Sequence, residues 1–231
     1  MALTPPQLHP AVKPASAILF ELFQRLLAAY GPQHWWPGET PFEVTIGAIL
    51  TQSTAWKNVE RAIASLKLRG LLDPGELRRV PVARLAEAIR PSGYYNVKAK
   101  KLKAMAAWLG AQKDSFAALS RRDIASLRLE LLSIWGVGEE TADSVLLYAC
   151  NKPVFVVDAY TRRIMARLGL LPPTTDYAGC QALFMNNLPR HTGLYNEYHA
   201  LLVVHGKSAC KTDPVCRACV LASLCPQGNR C

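Results

Sequence analysis

Hydrophobic periodicity limits this chain most: apolar residues recur at helical spacing almost throughout, and no run alternates as a half-buried strand does. Ile18, Leu19, Leu22, Phe23, Leu26 and Leu27 share one helical face, with Gly31 following as a stop. Thr40-Pro41-Phe42-Glu43 has the form of a helix start, with Thr as N-cap, Pro in the first turn and Glu three residues after the cap. Further helices are expected near 56–67, 81–89, 96–109, 121–133, 139–149, 159–168, 176–187 and 196–205. Asp73-Pro74-Gly75, Pro91-Ser92-Gly93, Gly136-Val137-Gly138 and Pro172-Pro173 read as the turns between them. Pro153 to Val157 is apolar but too short to argue a sheet. The expected fold class is all-α, without low-complexity stretches or a clear internal repeat.

A length of 231 residues, half of them hydrophobic, suits one compact domain or two small lobes. Lys plus Arg number 27 against 17 Asp plus Glu, a formal charge of +10. Such an excess favours a polyanionic partner, most commonly nucleic acid, although solubility alone also accounts for it. Residues 1–14 are polar and Pro-rich and do not read as a secretory signal. The best apolar run, Val145 to Cys150, is far too short to span a membrane. A soluble cytoplasmic protein is therefore expected, with no membrane partner. Of seven cysteines, Cys210, Cys216, Cys219 and Cys225 crowd one short stretch, which in a reducing compartment reads as a metal site. Cys150 and Cys180 lie in apolar helical contexts and read as core; Cys231 is terminal and uninformative.

The most informative segment runs from Leu132 to Asp143: a helix ends, Gly136-Val137-Gly138 turns tightly, and a new helix begins. Both glycines permit positive φ and close backbone approach. Free amides at the new helix start suit an anion such as a DNA phosphate, bound without reading sequence. The alternative is an ordinary αα-turn. Twenty residues after Gly138 stands Asp158, behind the apolar Val156-Val157 and ahead of a helix. It reads as an N-cap. It also reads as a catalytic carboxylate, able to stabilise an oxocarbenium-like sugar and help deprotonate a water.

The G-V-G and V-D pair at this spacing resembles the endonuclease III superfamily, the helix-hairpin-helix glycosylases with a Gly/Pro-rich loop and a catalytic Asp. The resemblance covers nearly the whole chain. It implies two helical lobes flanking a cleft, one built from 1–40 and 153–231 and the other from 41–152. Within it, Ile49-Leu50-Thr51-Gln52-Ser53-Thr54 matches the segment whose Gln sits at the DNA-intercalating edge, and Gly93 to Lys100 matches the helix start before the hairpin. Bifunctional members carry a Lys two residues after the second hairpin Gly, which forms an imine with the sugar. Here Glu140 stands at that position, beside Glu139, and a carboxylate forms no imine. A monofunctional glycosylase is expected, with Lys152 and the Lys98–Lys103 cluster as conceivable substitutes.

The same resemblance implies a [4Fe–4S] cluster on Cys210, Cys216, Cys219 and Cys225, spaced C-x5-C-x2-C-x5-C where the usual first gap has six residues. Zinc is the alternative, although four-cysteine zinc sites usually carry two CxxC pairs and this chain has one. Several marks are similar to the 3-methyladenine glycosylase III branch: Trp35-Trp36-Pro37, Gly47 to Thr54 followed by Trp56, Arg90 to Asn96, Glu140, and His205-Gly206-Lys207. This branch implies that Trp35 or Trp36 sandwiches a flipped base with Trp56, near Lys207. It can lack the cysteine cluster. The expected partner is double-stranded DNA containing a damaged base, acted on by a monomer. Rival readings are an endonuclease III-like glycosylase, with or without lyase activity, on oxidised pyrimidines, uracil or mismatched bases, and a non-catalytic damage-binding protein.

Overall fold

The computed structural model describes residues 14–228; residues 1–13, and with them most of the Pro-rich start, and Cys231 lie outside the described residues. No strand occurs among the described residues. In chain order the helices are α1 (Ala15–Tyr30), α2 (Pro41–Leu50), α3 (Trp56–Leu68), α4 (Pro74–Arg79), α5 (Val82–Ala88), α6 (Tyr95–Ala111), α7 (Phe116–Leu119), α8 (Ile124–Ser133), α9 (Glu139–Ser144), α10 (Ala159–Arg167), α11 (Tyr177–Asn187) and α12 (Thr192–Ser208).

Side-chain caps start many of these helices. Thr40 Oγ1 accepts from the Glu43 amide at 3.1 Å, while the Glu43 carboxylate reaches back to the Glu39 amide at 3.2 Å. Asp73-Pro74-Gly75, expected as a turn, instead opens α4: Asp73 accepts from the Glu76 amide at 2.9 Å and Pro74 takes the first helical position. The helix expected over 121–133 begins at Ile124, because Asp123 caps α8 by accepting from the Ser126 amide at 2.9 Å. The segment 139–149 begins as α9 and continues over Val145–Ala149 with π-helical bonding.

Two hydrophobic clusters hold the molecule together. One gathers α2, α3, α5, α6 and α8 with Val137, Ala142 and Val145, and reaches Val154. The second gathers α1, α10, α11 and α12 with Phe155, Val156 and Val157, and takes in Leu147. Each has a deeply buried central helix. In α2, every residue from Phe42 to Leu50 is buried. In α12, Tyr195, Tyr198, His199, Leu201, Leu202 and His205 are buried. Phe155 stacks on Phe184 with centroids 3.8 Å apart, and Tyr195 and Tyr198 meet Phe155 edge-on.

Candidate functional site

The buried segment Val154–Val157 leads into Asp158, the N-cap of α10. A polar network outside the cavity anchors this approach. Arg128 on α8 donates to both carboxylate oxygens of fully buried Asp143, at 2.7 and 3.0 Å. Tyr177 and Gln181, both on α11, also donate to Asp143, each at 2.8 Å. Gln181 donates further to the Phe155 carbonyl at 2.7 Å, and the Val157 amide donates to the Tyr177 hydroxyl at 3.3 Å. The backbone leading to Asp158 is thus tied to three helices.

Asp158 Oδ1 accepts from the Thr161 amide at 2.7 Å. Its Oδ2 lies 3.7 Å from His199 Nε2, beyond the length of a direct hydrogen bond. Burial alone would raise the Asp158 carboxyl, but His199 and the Thr161 amide outweigh it and hold it below the usual carboxylate range. The opposite holds for Glu140: burial, then the Asp158 charge, push its carboxyl up even though its side chain keeps solvent access at the cleft. Two carboxyls with oppositely shifted affinities for protons therefore share one site.

That site is a cleft of about 610 Å³ lined by Trp35, Trp36, Trp56, Glu140, Ser144, Asp158, Tyr160, His199 and Lys207, among others. It unites the carboxylate, the three indoles, Glu140 and Lys207, which are dispersed in the sequence. The indoles pack on one another: Trp35–Trp56 centroids are 5.7 Å apart at 46°, and Trp36 meets Trp56 edge-on at 5.3 Å. No flat base fits between rings in such contact, so a sandwich requires them to part. Gly47 permits the arrangement, since a Cβ there would stand 3.2 Å from Trp36 Nε1. Behind Trp36 lies Tyr148, its ring centroid 5.2 Å away. Sequence reasoning missed Tyr148 and His199; a helical histidine and tyrosine carry no signal separable from core residues.

Lys207 is the one lysine lining the cleft among the described residues. The conceivable substitutes point elsewhere. Lys98 is buried, donates to the carbonyls of Leu50 and Ser92 at 2.8 and 2.7 Å, and is lowered by that burial to about 8. Lys101 donates to Gln52 at 2.5 Å, Lys103 to the Arg78 carbonyl and Lys152 to the Ser120 carbonyl.

The hairpin between α8 and α9 departs from expectation at one glycine. Gly136 has φ +84° and lies so close to Lys101 that a Cβ would approach its Cγ to 2.5 Å. Gly138 is extended at φ −98°, and a Cβ there would meet nothing within 4 Å. Its smallness leaves the backbone open to approach rather than granting a left-handed turn. Gln52 also differs: its amide donates to the Gly136 carbonyl at 3.3 Å and to Thr141 Oγ1 at 2.9 Å, so it buttresses the hairpin.

Cys210, Cys216, Cys219 and Cys225 line one small cavity between the end of α12 and α10. Among the described residues, no three His, Cys, Asp or Glu side chains stand together as ligands of one ion. Cys219 is pushed up by burial and by Cys210 and Cys225, so thiolates here need a compensating positive centre. Arg167 donates to Cys210 Sγ at 3.4 Å, and His205 Nε2 lies 3.7 Å from Cys219 Sγ. The four thiols supply the donor chemistry of a thiolate-bound group, but among the described residues they are not gathered as its ligand set. Cys150 and Cys180 are core residues, their thiols pushed up by burial to about 11.

Residues 46–190 match the model of the HhH-GPD superfamily base excision DNA repair proteins. A provisionally named DNA repair glycosylase of Methanocaldococcus jannaschii is 45% identical over 210 residues, covering 90% of this chain and 96% of its own. Endonuclease III of Sulfolobus acidocaldarius is 30% identical, covering 80% and 81%. Among solved structures, the 3-methyladenine DNA glycosylase of H. pylori bound to 1,N6-ethenoadenine is 30% identical with a TM-score of 0.71, covering 84% of this chain and 98% of that one. A non-covalent endonuclease III–DNA complex shares the fold at 23% identity and TM-score 0.80, covering 95% and 98%.

Proposed function

We propose a substrate class and a mechanism for this chain, which belongs to the HhH-GPD superfamily of base excision DNA repair proteins. It is a DNA glycosylase of that type, and its substrate is DNA. The finer reading is a monofunctional enzyme, acting as a monomer, that removes an alkylated purine such as N3-methyladenine from double-stranded DNA. One observation carries it: a single cleft is lined by three indoles and two carboxyls, with Glu140 where an imine-forming lysine would be needed. The cleft runs between the two hydrophobic clusters, which we take as the cores of the two lobes.

N-alkylation leaves a purine positively charged with a weakened glycosidic bond, so the base departs without prior protonation. Indole faces favour such a cation by about 0.5–2 kcal/mol. That is modest, and bond lability does much of the discriminating. Asp158, charged by preference, opposes the positive charge developing on the sugar and takes a proton from the attacking water. The hairpin amides hold a phosphate of the strand.

Cys210, Cys216, Cys219 and Cys225 would hold a [4Fe–4S] cluster, with zinc as the alternative. One Cys-x2-Cys pair, where four-cysteine zinc sites usually carry two, supports the cluster. When bound, the cluster supplies a structural centre with redox capacity.

A second reading rests on Lys207, whose amine shares the cleft with Asp158. An imine formed there would give lyase activity on oxidised pyrimidines, uracil or mismatched bases. Duplexes each bearing one lesion, incubated with and without subsequent alkali, separate the two readings. Alkylated purines should be released and strands cut only after alkali. Cutting without alkali supports the second reading.

A further inference from the structure

His199 is a histidine that the mechanism above does not use. It lies on the central helix α12, is 5% exposed, and lines the cleft beside Asp158. Its Nδ1 is 2.5 Å from the Tyr148 hydroxyl. Burial, and then the Asp158 charge, hold the Tyr148 phenol far above its ordinary value, so it stays protonated and donates to Nδ1. With Nδ1 accepting, the ring N–H is on Nε2. That Nε2 is buried without a hydrogen-bond partner and stands 3.7 Å from Asp158 Oδ2. The separation exceeds a direct hydrogen bond, but Nε2 is closed to solvent, so Asp158 Oδ2 is the acceptor it faces.

We propose that His199 is a positioning residue, its Nε2–H directed at Asp158 Oδ2 so that the carboxylate is held charged and oriented toward the sugar; this rests on the reading of Asp158 given above. The oxygen of the attacking water bonds to C1′ of the deoxyribose, and one water proton passes to the Asp158 carboxylate. The C1′–N bond breaks with its electron pair returning to the cationic base, which leaves neutral. Tyr148 acts through His199 as a positioning residue, fixing the tautomer that donates. Tyr148, Asp158 and Glu140 are the titratable groups facing His199, and Lys207 lines the same cleft two turns along α12.

The test is single-turnover release of base from methylated duplex DNA by the full chain, alongside binding to an abasic duplex and a pH profile. His199→Ala should slow release about 100-fold while abasic binding stays unchanged. Asp158 loses a group that lowers its pKa, so the acid limb of the profile should move to higher pH. His199→Gln keeps an N–H donor and should recover most of the rate. Tyr148→Phe should give a smaller loss with the same pH shift, and it carries the test should His199→Ala not fold. Wild-type rates in both His199→Ala and Tyr148→Phe would overturn the proposal. So would equal loss in His199→Ala and His199→Gln with abasic binding lost in parallel, since His199 would then be structural. Asp158→Asn is the control. If it is inactive while His199→Ala is unimpaired, only the positioning role of His199 fails. If Asp158→Asn remains active, the reading of Asp158 fails, and this proposal with it.

Discussion

Gly206 lies directly beneath the ring of Tyr160: a Cβ on Gly206 would stand 2.5 Å from the nearest ring carbon. This contact lets α12 press against the start of α10 just beyond Asp158. Through adjacent residues it joins the two cavities, because His205 lines the cysteine cavity while Tyr160 and Lys207 line the cleft. Gly206→Ala should therefore destabilise the protein by about 1–3 kcal/mol through overpacking. Denaturant unfolding measures it, and a change within a few tenths of wild type would mean that Tyr160 moves aside freely.

Trp56→Ala should slow base release more than it weakens binding to an abasic duplex, because an abasic site offers no base to stack. Stacking on an aromatic face contributes about 1–3 kcal/mol per base, so a rate loss of roughly tenfold is expected. Parallel losses in rate and abasic binding would instead make Trp56 part of the protein scaffold, held as it is by a 2.8 Å hydrogen bond to Glu60.

Arg128→Met leaves the Asp143 carboxylate buried without its bidentate partner. A loss of about 3–5 kcal/mol in folding stability is expected. Adding Asp143→Asn should restore part of it, since no buried charge then remains. If the double variant is less stable than Arg128→Met, the carboxylate itself is the stabilising group, through Tyr177 and Gln181.

Protein prepared without oxygen should be yellow-brown and contain iron and sulfide in equal amounts. Replacing Cys219 by Ser should reduce both together. One zinc per chain with no iron would assign Cys210, Cys216, Cys219 and Cys225 to the alternative metal.

Helical periodicity and caps made most of the fold legible, since the pattern of Leu19, Leu22 and Leu26 or the cap at Thr40 is a local property. Asp73-Pro74-Gly75 misled because the residues that make a turn also start a helix. Within the candidate site, Asp158 stood out by residue type and spacing, while Glu140 and the Trp35-Trp36 loop were picked out by the family resemblance. His199 and Tyr148 did not, because what sets them apart is a tertiary relationship: a buried Nε2 without a partner and a phenol against Nδ1. Gln52 was legible as part of a motif, but its contacts with Gly136 and Thr141 depend on how α2 meets the hairpin.

The central claim is hydrolytic excision by Asp158 without an enzyme-bound imine. It is tested most directly by incubating wild-type protein and Asp158→Asn with N3-methyladenine-containing duplex in the presence of borohydride, and recording free base, strand breaks and covalent adduct together. Wild type should release free N3-methyladenine, leave strands intact until alkali is added, and yield little or no trapped adduct. Asp158→Asn should bind the duplex and lose release by several orders of magnitude. An efficiently trapped adduct, or near-wild-type release by Asp158→Asn, would contradict the account.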